Sequence, residues 1–155
     1  MNGKYGFIDK SGCELLPCRY DVIYGFFGED LTRVVLDRKY GFVDKSGHEI
    51  VPCRYNSAES FCEGLASVKL NGKCGFIDKL GREVIPCEYE SASSFSEGLA
   101  NVYSNGKTVF IDKSGREIFL SRYGMVNEFC EGLAKVYSNG KYGFIDKSGR
   151  EVIPC

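Results

Sequence analysis

Short apolar segments of about six residues alternate with polar turn sequences along the chain. In the segment Leu133–Ser138, the small apolar residues Ala134 and Val136 alternate with larger or polar ones. A period of two is typical of a β-strand that buries one of its faces. The pattern therefore predicts an all-β protein built from short strands.

One phrase, approximately GKYGFIDKSGREVIPC followed by a tyrosine and FxEGLAxV, recurs through the sequence. Its lysine stands at Lys4, Lys39, Lys73, Lys107 and Lys141, at spacings of 35, 34, 34 and 34 residues. A fixed period of this length indicates a repeat architecture. We expect a single repeat domain over 1–155, with units at about 1–37, 38–71, 72–105, 106–139 and a partial unit at 140–155.

Two recurrent turn sequences divide each unit into strands. Asn-Gly pairs suit two-residue hairpin turns with positive φ at both positions, and the glycine of each Asp-Lys-Ser-Gly sequence suits a second turn. Each unit thus has three strands, which we call a, b and c: Leu133–Ser138, Lys141–Asp146 and Arg150–Cys155 in the last copy. A connector with a tyrosine and a phenylalanine joins c to the next a; we expect these two residues to anchor it to the core, with room for one helical turn.

A single unit buries too little apolar area to offset the entropy lost on ordering it, so the units must stack. The chain begins at strand b and ends at strand c. We therefore expect a tandem array of about five three-stranded antiparallel units, open and superhelical or solenoid-like. The alternative is a closed, propeller-like ring in which the first strands complete the last unit.

The recurring phrase resembles the bacterial WG repeat, also called the KWG repeat, over essentially the whole chain. The family's Trp-Gly appears here as Tyr5-Gly6, Tyr40-Gly41, Cys74-Gly75, Thr108-Val109 and Tyr142-Gly143, and the chain contains no tryptophan. The resemblance implies a non-enzymatic, multi-copy β-repeat associated with molecular interactions.

Composition narrows the choice of partner and compartment. Twenty basic and 21 acidic residues give a net charge of −1, which disfavours nucleic acid and anionic membranes as partners. No apolar run approaches the ~20 residues of a membrane span, and Met1 is not followed by a signal sequence, so we expect a cytoplasmic protein. Four of the eight cysteines occupy one position per repeat, which favours free structural thiols over the alternative of a disulfide framework. They are Cys18, Cys53, Cys87 and Cys155.

The residues that usually carry chemistry have structural explanations, so we predict no enzyme, metal or cofactor. An aspartate that opens each tight turn accepts backbone N–H groups there. His48, the only histidine, replaces an arginine of later copies and is expected at a solvated strand edge. No Cys-x-x-Cys pair or phosphate-binding loop is present. The turn aspartates are Asp9, Asp44, Asp78, Asp112 and Asp146.

The positions at which the copies differ are the candidate binding residues. The second face of strand a varies between copies, as a binding stripe or a tolerant solvated face would. The first connector is unusually apolar and is either a cap on the terminal unit or an anchor for a partner. The fourth unit has Val109 and Leu120 in place of the usual glycine and proline, which predicts a local bend or an exposed patch of Phe119, Leu120 and Met125. The candidate partner-binding residues are Tyr24, Phe26, Phe27, Arg33, Lys69, Tyr103, Lys135 and Tyr137.

These features favour a non-enzymatic protein-binding module that acts as an adaptor or stoichiometric inhibitor, of a kind suited to bacterial or phage-encoded regulation. Its partner is another protein, and self-association through the terminal edges is a further possibility. The alternative is a cell-surface or carbohydrate-binding repeat protein, since ten tyrosines and 11 phenylalanines offer rings for stacking on sugars.

Overall fold

The computed structural model describes residues 3–25 and 30–155, and this part of the chain contains strands and turns but no helix. The strands form five antiparallel sheets, each made from strands that are consecutive in the chain. The predicted all-β array of small tandem sheets is therefore confirmed.

Sheet 1 has two strands and sheets 2 to 5 have four strands each. Sheet 1 contains β1 (Tyr5–Ile8) and β2 (Glu14–Tyr20). Sheet 2 contains β3 (Val22–Ile23), β4 (Leu31–Leu36), β5 (Lys39–Asp44) and β6 (Glu49–Tyr55). Sheet 3 contains β7 (Ser57–Ala58), β8 (Leu65–Leu70), β9 (Lys73–Asp78) and β10 (Glu83–Tyr89). Sheet 4 contains β11 (Ser91–Ala92), β12 (Leu99–Ser104), β13 (Lys107–Asp112) and β14 (Glu117–Leu120). Sheet 5 contains β15 (Met125–Cys130), β16 (Leu133–Ser138), β17 (Lys141–Asp146) and β18 (Glu151–Ile153).

The connector differs from its prediction. It contributes a fourth strand, such as β7, which pairs with strand a of the next hairpin, and no helical turn occurs among the described residues. Sheet 5 takes all four of its strands from residues 125–153. Completion of the last sheet by the first two strands, on which the ring alternative depended, does not occur among the described residues.

Two-residue turns with positive φ set the hairpin register. Asn71 and Gly72 have φ values of 50° and 84°, which confirms the predicted Asn-Gly turn between strands a and b. Glu63 and Gly64 adopt the same geometry at 53° and 87°, which the sequence analysis did not anticipate. Each recurrent Glu-Gly pair therefore closes a second tight hairpin, between the connector and strand a.

The glycine of the Tyr-Gly pair allows strand c to approach strand b closely. In sheet 2, the five residues from Val51 to Tyr55 lie opposite only the three from Tyr40 to Phe42, so the Pro-Cys segment bulges toward strand b. In sheet 3, a Cβ at Gly75 would lie 2.5 Å from the Ile85 carbonyl oxygen. The bulge and the glycine therefore require one another.

The fourth unit loses the glycine together with the bulge that lies opposite it in other copies. Val109 pairs directly with Leu120 and Phe110 with Phe119, and β14 has four residues where β6 has seven. Because strand c does not bulge at this point, the Cβ of Val109 is accommodated; the register shift between Phe110 and Ile111 remains. The local change is therefore a shorter strand c that lacks the bulge opposite Val109.

Each sheet buries one face against the next sheet within the same compact unit. The chain divides into two compact units, which we call the first unit and the second unit. The first unit is Met1–Cys87, with sheets 1 and 2 and most of sheet 3, and the second unit is Glu88–Cys155, with sheets 4 and 5. In the first unit, Phe42 and Val51 of sheet 2 pack with Ala66 and Ile77 of sheet 3. In the second unit, the corresponding cluster contains Phe110, Phe129, Ala134, Val136 and Ile145.

Six of the eight connector aromatics predicted as anchors are core residues, whereas Tyr89 is only partly buried and Phe27 lies outside the described residues. Tyr20 and Tyr55 are fully buried, and Phe61 is 5% exposed. A hydrogen-bonded clamp satisfies the tyrosine hydroxyl: in the second unit, Tyr123 donates to Glu151 at 3.0 Å and accepts from Arg122 at 3.3 Å. The clamp recurs in the first unit with Tyr20, Arg19 and Glu49. The remaining buried members are Phe95, Tyr123 and Phe129.

We predict that Gly75→Ala lowers the free energy of unfolding by about 2–4 kcal/mol, because the added methyl group forces strand c away from strand b. Gly124→Ala is the matched control, since its Cβ would meet nothing closer than 3.9 Å. Urea unfolding followed by circular dichroism measures both variants. Equal stabilities for the two would show that the close approach does not matter.

Candidate functional site

The recurrent aspartates are turn residues. In the last copy, Asp146 Oδ1 accepts the backbone N–H groups of Ser148 at 2.9 Å and Arg150 at 3.1 Å. Its Oδ2 lies 3.2 Å from the Arg150 side chain. The equivalent hydrogen bonds form in the other copies, where Asp9, Asp44, Asp78 and Asp112 each accept the backbone N–H groups of the residues two and four positions further along the chain. The five carboxylates therefore hold turns, as the sequence analysis proposed.

These hydrogen bonds favour the ionised carboxylates. A serine hydroxyl two residues on is the largest cause that lowers the pKa of Asp9, Asp112 and Asp146. For Asp44, the backbone N–H of His48 is the largest cause that lowers the pKa. Burial acts to raise the pKa of Asp78, but the hydrogen bonds from Arg82 and Leu80 outweigh it, so this pKa is lowered too. All five groups shift in the same direction.

His48 is exposed, with its Nδ1 3.3 Å from Asp44 Oδ2. It substitutes for the arginine that contacts the turn aspartate in three later copies. No group of three or more His, Cys, Asp or Glu side chains in residues 3–25 and 30–155 is arranged to hold a metal ion. The same residues contain no helix with the length and apolar character needed to cross a bilayer.

All eight cysteines are free thiols, as favoured from the sequence. Of the four at the recurring position, Cys53, Cys87 and Cys155 are partly buried and Cys18 is exposed. Burial, with a smaller contribution from the Glu49 charge, raises the pKa of Cys53 to about 11. Burial also raises the pKa of Cys87. These two thiols are therefore poor nucleophiles at neutral pH.

Strand a separates a constant row from a variable row. The constant row is buried throughout: Val34, Ala66, Ala100 and Ala134 are at most 1% exposed. The variable row consists of Arg33, Val35, Ser67, Lys69, Asn101, Tyr103, Lys135 and Tyr137. Val35 and Ser67 of this row are each 7% exposed, whereas Tyr103 and Tyr137 are 39% and 36% exposed. The row therefore becomes accessible in sheets 4 and 5.

Near the start of the row, Arg33 is held by surrounding groups. Its guanidinium lies 4.1 Å from the Tyr24 ring centroid and 5.9 Å from that of Tyr40. It donates to the Ala58 carbonyl and forms an ion pair with Glu59 at 3.2 Å. Arg33 therefore links sheet 2 to sheet 3 through polar contacts, and the Tyr24 ring lies over its guanidinium at the protein surface. Phe26 and Phe27, the other candidates in the first connector, lie outside the described residues.

Sheet 5 presents an exposed group of aromatic and cationic side chains. The Lys135 ammonium lies 4.0 Å from the Tyr142 ring centroid, and the rings of Tyr137 and Tyr142 are 4.9 Å apart. Tyr142 is 60% exposed. The structure thus brings the predicted residues Lys135 and Tyr137 together with Tyr142, which was not among the candidates. Lys69 lies in sheet 3 opposite Cys74 and is partly buried.

A polar groove of about 500 Å³ opens in the second unit, between sheets 4 and 5. We call it the Asn101 groove; Ser93, Asn101, Val126, Asn127 and Glu128 line it. The Ser93 hydroxyl accepts the Asn101 N–H at 3.0 Å. The groove was not predicted, although the sequence shows Asn101 at the repeat position of Arg33.

The predicted apolar patch of the fourth unit is partly present. Leu120 and Met125 are 56% and 61% exposed. Phe119 instead stacks on Phe110, with centroids 4.6 Å apart, and is partly buried. Phe119 therefore belongs to the interface between sheets 4 and 5.

The WG containing repeat family matches the chain at residues 5–40, 40–74, 75–107, 110–142 and 142–155. The protein is a tandem β-repeat protein of this class. It belongs to the WG repeat family, which confirms the resemblance drawn from the sequence. No curated protein matches the chain.

We predict that the protein loses thermal stability progressively as the pH falls below about 4. The pKa of each turn aspartate is lower in the folded state than the ordinary value of 3.8. Their contribution is thus fully present above the unfolded pKa and is lost as the pH falls through the folded pKa. Melting temperatures between pH 6 and pH 2 measure this, and a flat profile would contradict it. Asp146→Asn should make the profile shallower, because one titrating group is removed.

We also predict that iodoacetamide at pH 8 alkylates the exposed Cys13 and Cys130 well before Cys53. A thiol with a pKa of about 11 reacts roughly 100-fold more slowly than a free thiol, because little of it is ionised. Peptide mass mapping over time measures the order, and the difference should vanish in urea. Equal native rates would contradict the burial of Cys53.

Proposed function

We propose that the protein is a non-enzymatic protein-binding repeat module that acts as an adaptor or stoichiometric inhibitor by occupying a partner's surface. The observation that carries this proposal is the contrast between the two rows of strand a. The constant row is buried in every copy, whereas the variable row exposes Tyr103, Lys135 and Tyr137 in sheets 4 and 5. A scaffold that keeps one face fixed and varies the other is suited to recognition.

The chemistry of the exposed group suits a protein partner. Tyrosine supplies a large contact area at a low cost in side-chain entropy, and tyrosine is enriched at interface hot spots. Tyr137 and Tyr142 form a continuous aromatic surface, and Lys135 provides a cation beside it. The carboxylates that might have suggested catalysis are engaged in turns.

We further propose that the protein works in the cytoplasm, in a bacterial or phage setting. Eight free thiols support this, because exposed thiols persist in reducing compartments. A regulator of this kind acts by covering a working surface of its partner.

We predict that Tyr103→Ser with Tyr137→Ser abolishes capture of the partner from a lysate of the native host. Both rings are exposed, so their loss removes contact area with little effect on the core. We expect a loss of at least tenfold in captured partner, measured by quantitative mass spectrometry, with the melting temperature within a few degrees of wild type.

Leu80→Ser is the matched control, because Leu80 is 67% exposed and occupies a turn position where the other copies have serine. It should leave capture unchanged. If specific capture survives the double substitution, the binding surface lies outside the variable row. Turnover of a substrate by the purified protein would overturn the proposal altogether.

A further inference from the structure

We propose that the Asn101 groove binds an arginine side chain of a partner protein. The inference deepens the proposed function, on which it rests, by naming the chemical group that the second unit recognises. At the corresponding place in the first unit, the protein's own Arg33 occupies this position.

The first unit shows what this position between two sheets holds. The Arg33 guanidinium of sheet 2 donates to the Ala58 carbonyl and pairs with Glu59 of sheet 3 at 3.2 Å. The Tyr24 and Tyr40 rings flank it, at 4.1 and 5.9 Å. Only 17% of the Arg33 side chain remains exposed. The repeat architecture thus contains a guanidinium-binding position.

In the second unit the occupants of this position are replaced by smaller residues. Asn101 stands at the repeat position of Arg33, Ser93 at that of Tyr24 and Thr108 at that of Tyr40. The register confirms the correspondence, because Arg33 pairs with Phe42 as Asn101 pairs with Phe110. One guanidinium and two phenol rings are therefore missing, and the open groove is lined by the residues at two of these three positions, Asn101 and Ser93.

The opposite wall keeps the strand pairing, while Asn127 stands at the repeat position of Glu59. Val126 pairs with Val136 as Ala58 pairs with Val68, so Val126 holds the repeat position of the residue whose carbonyl accepts from Arg33. The adjacent side chains are Asn127 and Glu128. Glu128 is exposed and forms no ion pair within residues 3–25 and 30–155. The groove therefore offers a carboxylate and two amide oxygens.

This set of acceptors favours arginine over lysine. A guanidinium carries five N–H donors in a fixed plane and satisfies several acceptors at once, whereas an ammonium acts as a compact, strongly hydrated charge. The Ser93 hydroxyl is already used within the protein, since it accepts from Asn101 and donates to the Ser94 carbonyl at 3.1 Å. Recognition therefore depends on Asn101, Asn127 and Glu128.

The test is an NMR titration of the full chain with N-acetyl-arginine-N-methylamide, with the lysine analogue as the comparison ligand. We expect saturable shifts of the Asn101 and Asn127 side-chain amide signals, with a dissociation constant on the order of 1–10 mM for the isolated residue. The lysine analogue should bind at least several-fold more weakly. Glu128→Gln should weaken arginine binding by about tenfold, because the charge-assisted contact is lost.

Asn101→Arg with Asn127→Glu converts the groove to the arrangement of Arg33 and Glu59. This double variant should no longer bind the arginine analogue, because its own guanidinium fills the groove, and it should melt no lower than wild type. Glu14→Gln, at an exposed glutamate of sheet 1, is the control that should bind as wild type does.

Three results would overturn the inference: no shifts at the groove in a folded wild-type protein, equal responses to the two analogues, or undiminished binding by the filled double variant. None of them bears on capture through Tyr103 and Tyr137. A partner that still depends on those two tyrosines would leave the proposed function standing while the arginine site fails.

Discussion

The structure depends on the burial of one face of each small sheet against a neighbouring sheet of the same compact unit. Strands of two to seven residues enclose no core of their own, so phenylalanine and aliphatic side chains of one sheet must meet the small alanine and valine row of its neighbour. Phe42 with Ala66, and Phe110 with Ala134, are two instances of this contact. Two local features position the sheets for this contact: the bulge opposite the glycine of strand b, and the hydrogen bonds of the buried tyrosine hydroxyls.

This constraint explains why some positions are constant and others vary. The constant row of strand a is restricted to small side chains, which are alanine, valine and the buried Thr32, because a second sheet lies against them. The alternate residues face the surface or the gap between sheets, where several solutions are tolerated: a guanidinium between two rings at Arg33, an open groove at Asn101 and an ammonium over a ring at Lys135. Differences in recognition are therefore made without a change of scaffold.

Much of the fold was predictable because it follows from local chemistry. The Asn-Gly turns, the turn aspartates and the alternation along strand a each reflect a preference of a few adjacent residues. The fourth strand was not predicted, since two residues such as Ser57–Ala58 carry no periodic signal.

The site was less predictable than the fold. From the sequence, Arg33 is expected to be an exposed cation, and only its contacts with Glu59 and Tyr24 show that it connects two sheets. The Asn101 groove depends on residues about 25 positions apart and has no local signature.

The central claim is that a sheet becomes stable only when it stacks on another. The most direct measurement is thermal circular dichroism of a synthetic peptide of residues 56–89, which contains all four strands of sheet 3, at concentrations where it is monomeric. The account predicts a spectrum without strand signal and no cooperative transition, while the full chain melts cooperatively. A cooperative melt of the isolated peptide would contradict it, because the sheet would then be stable without a neighbour.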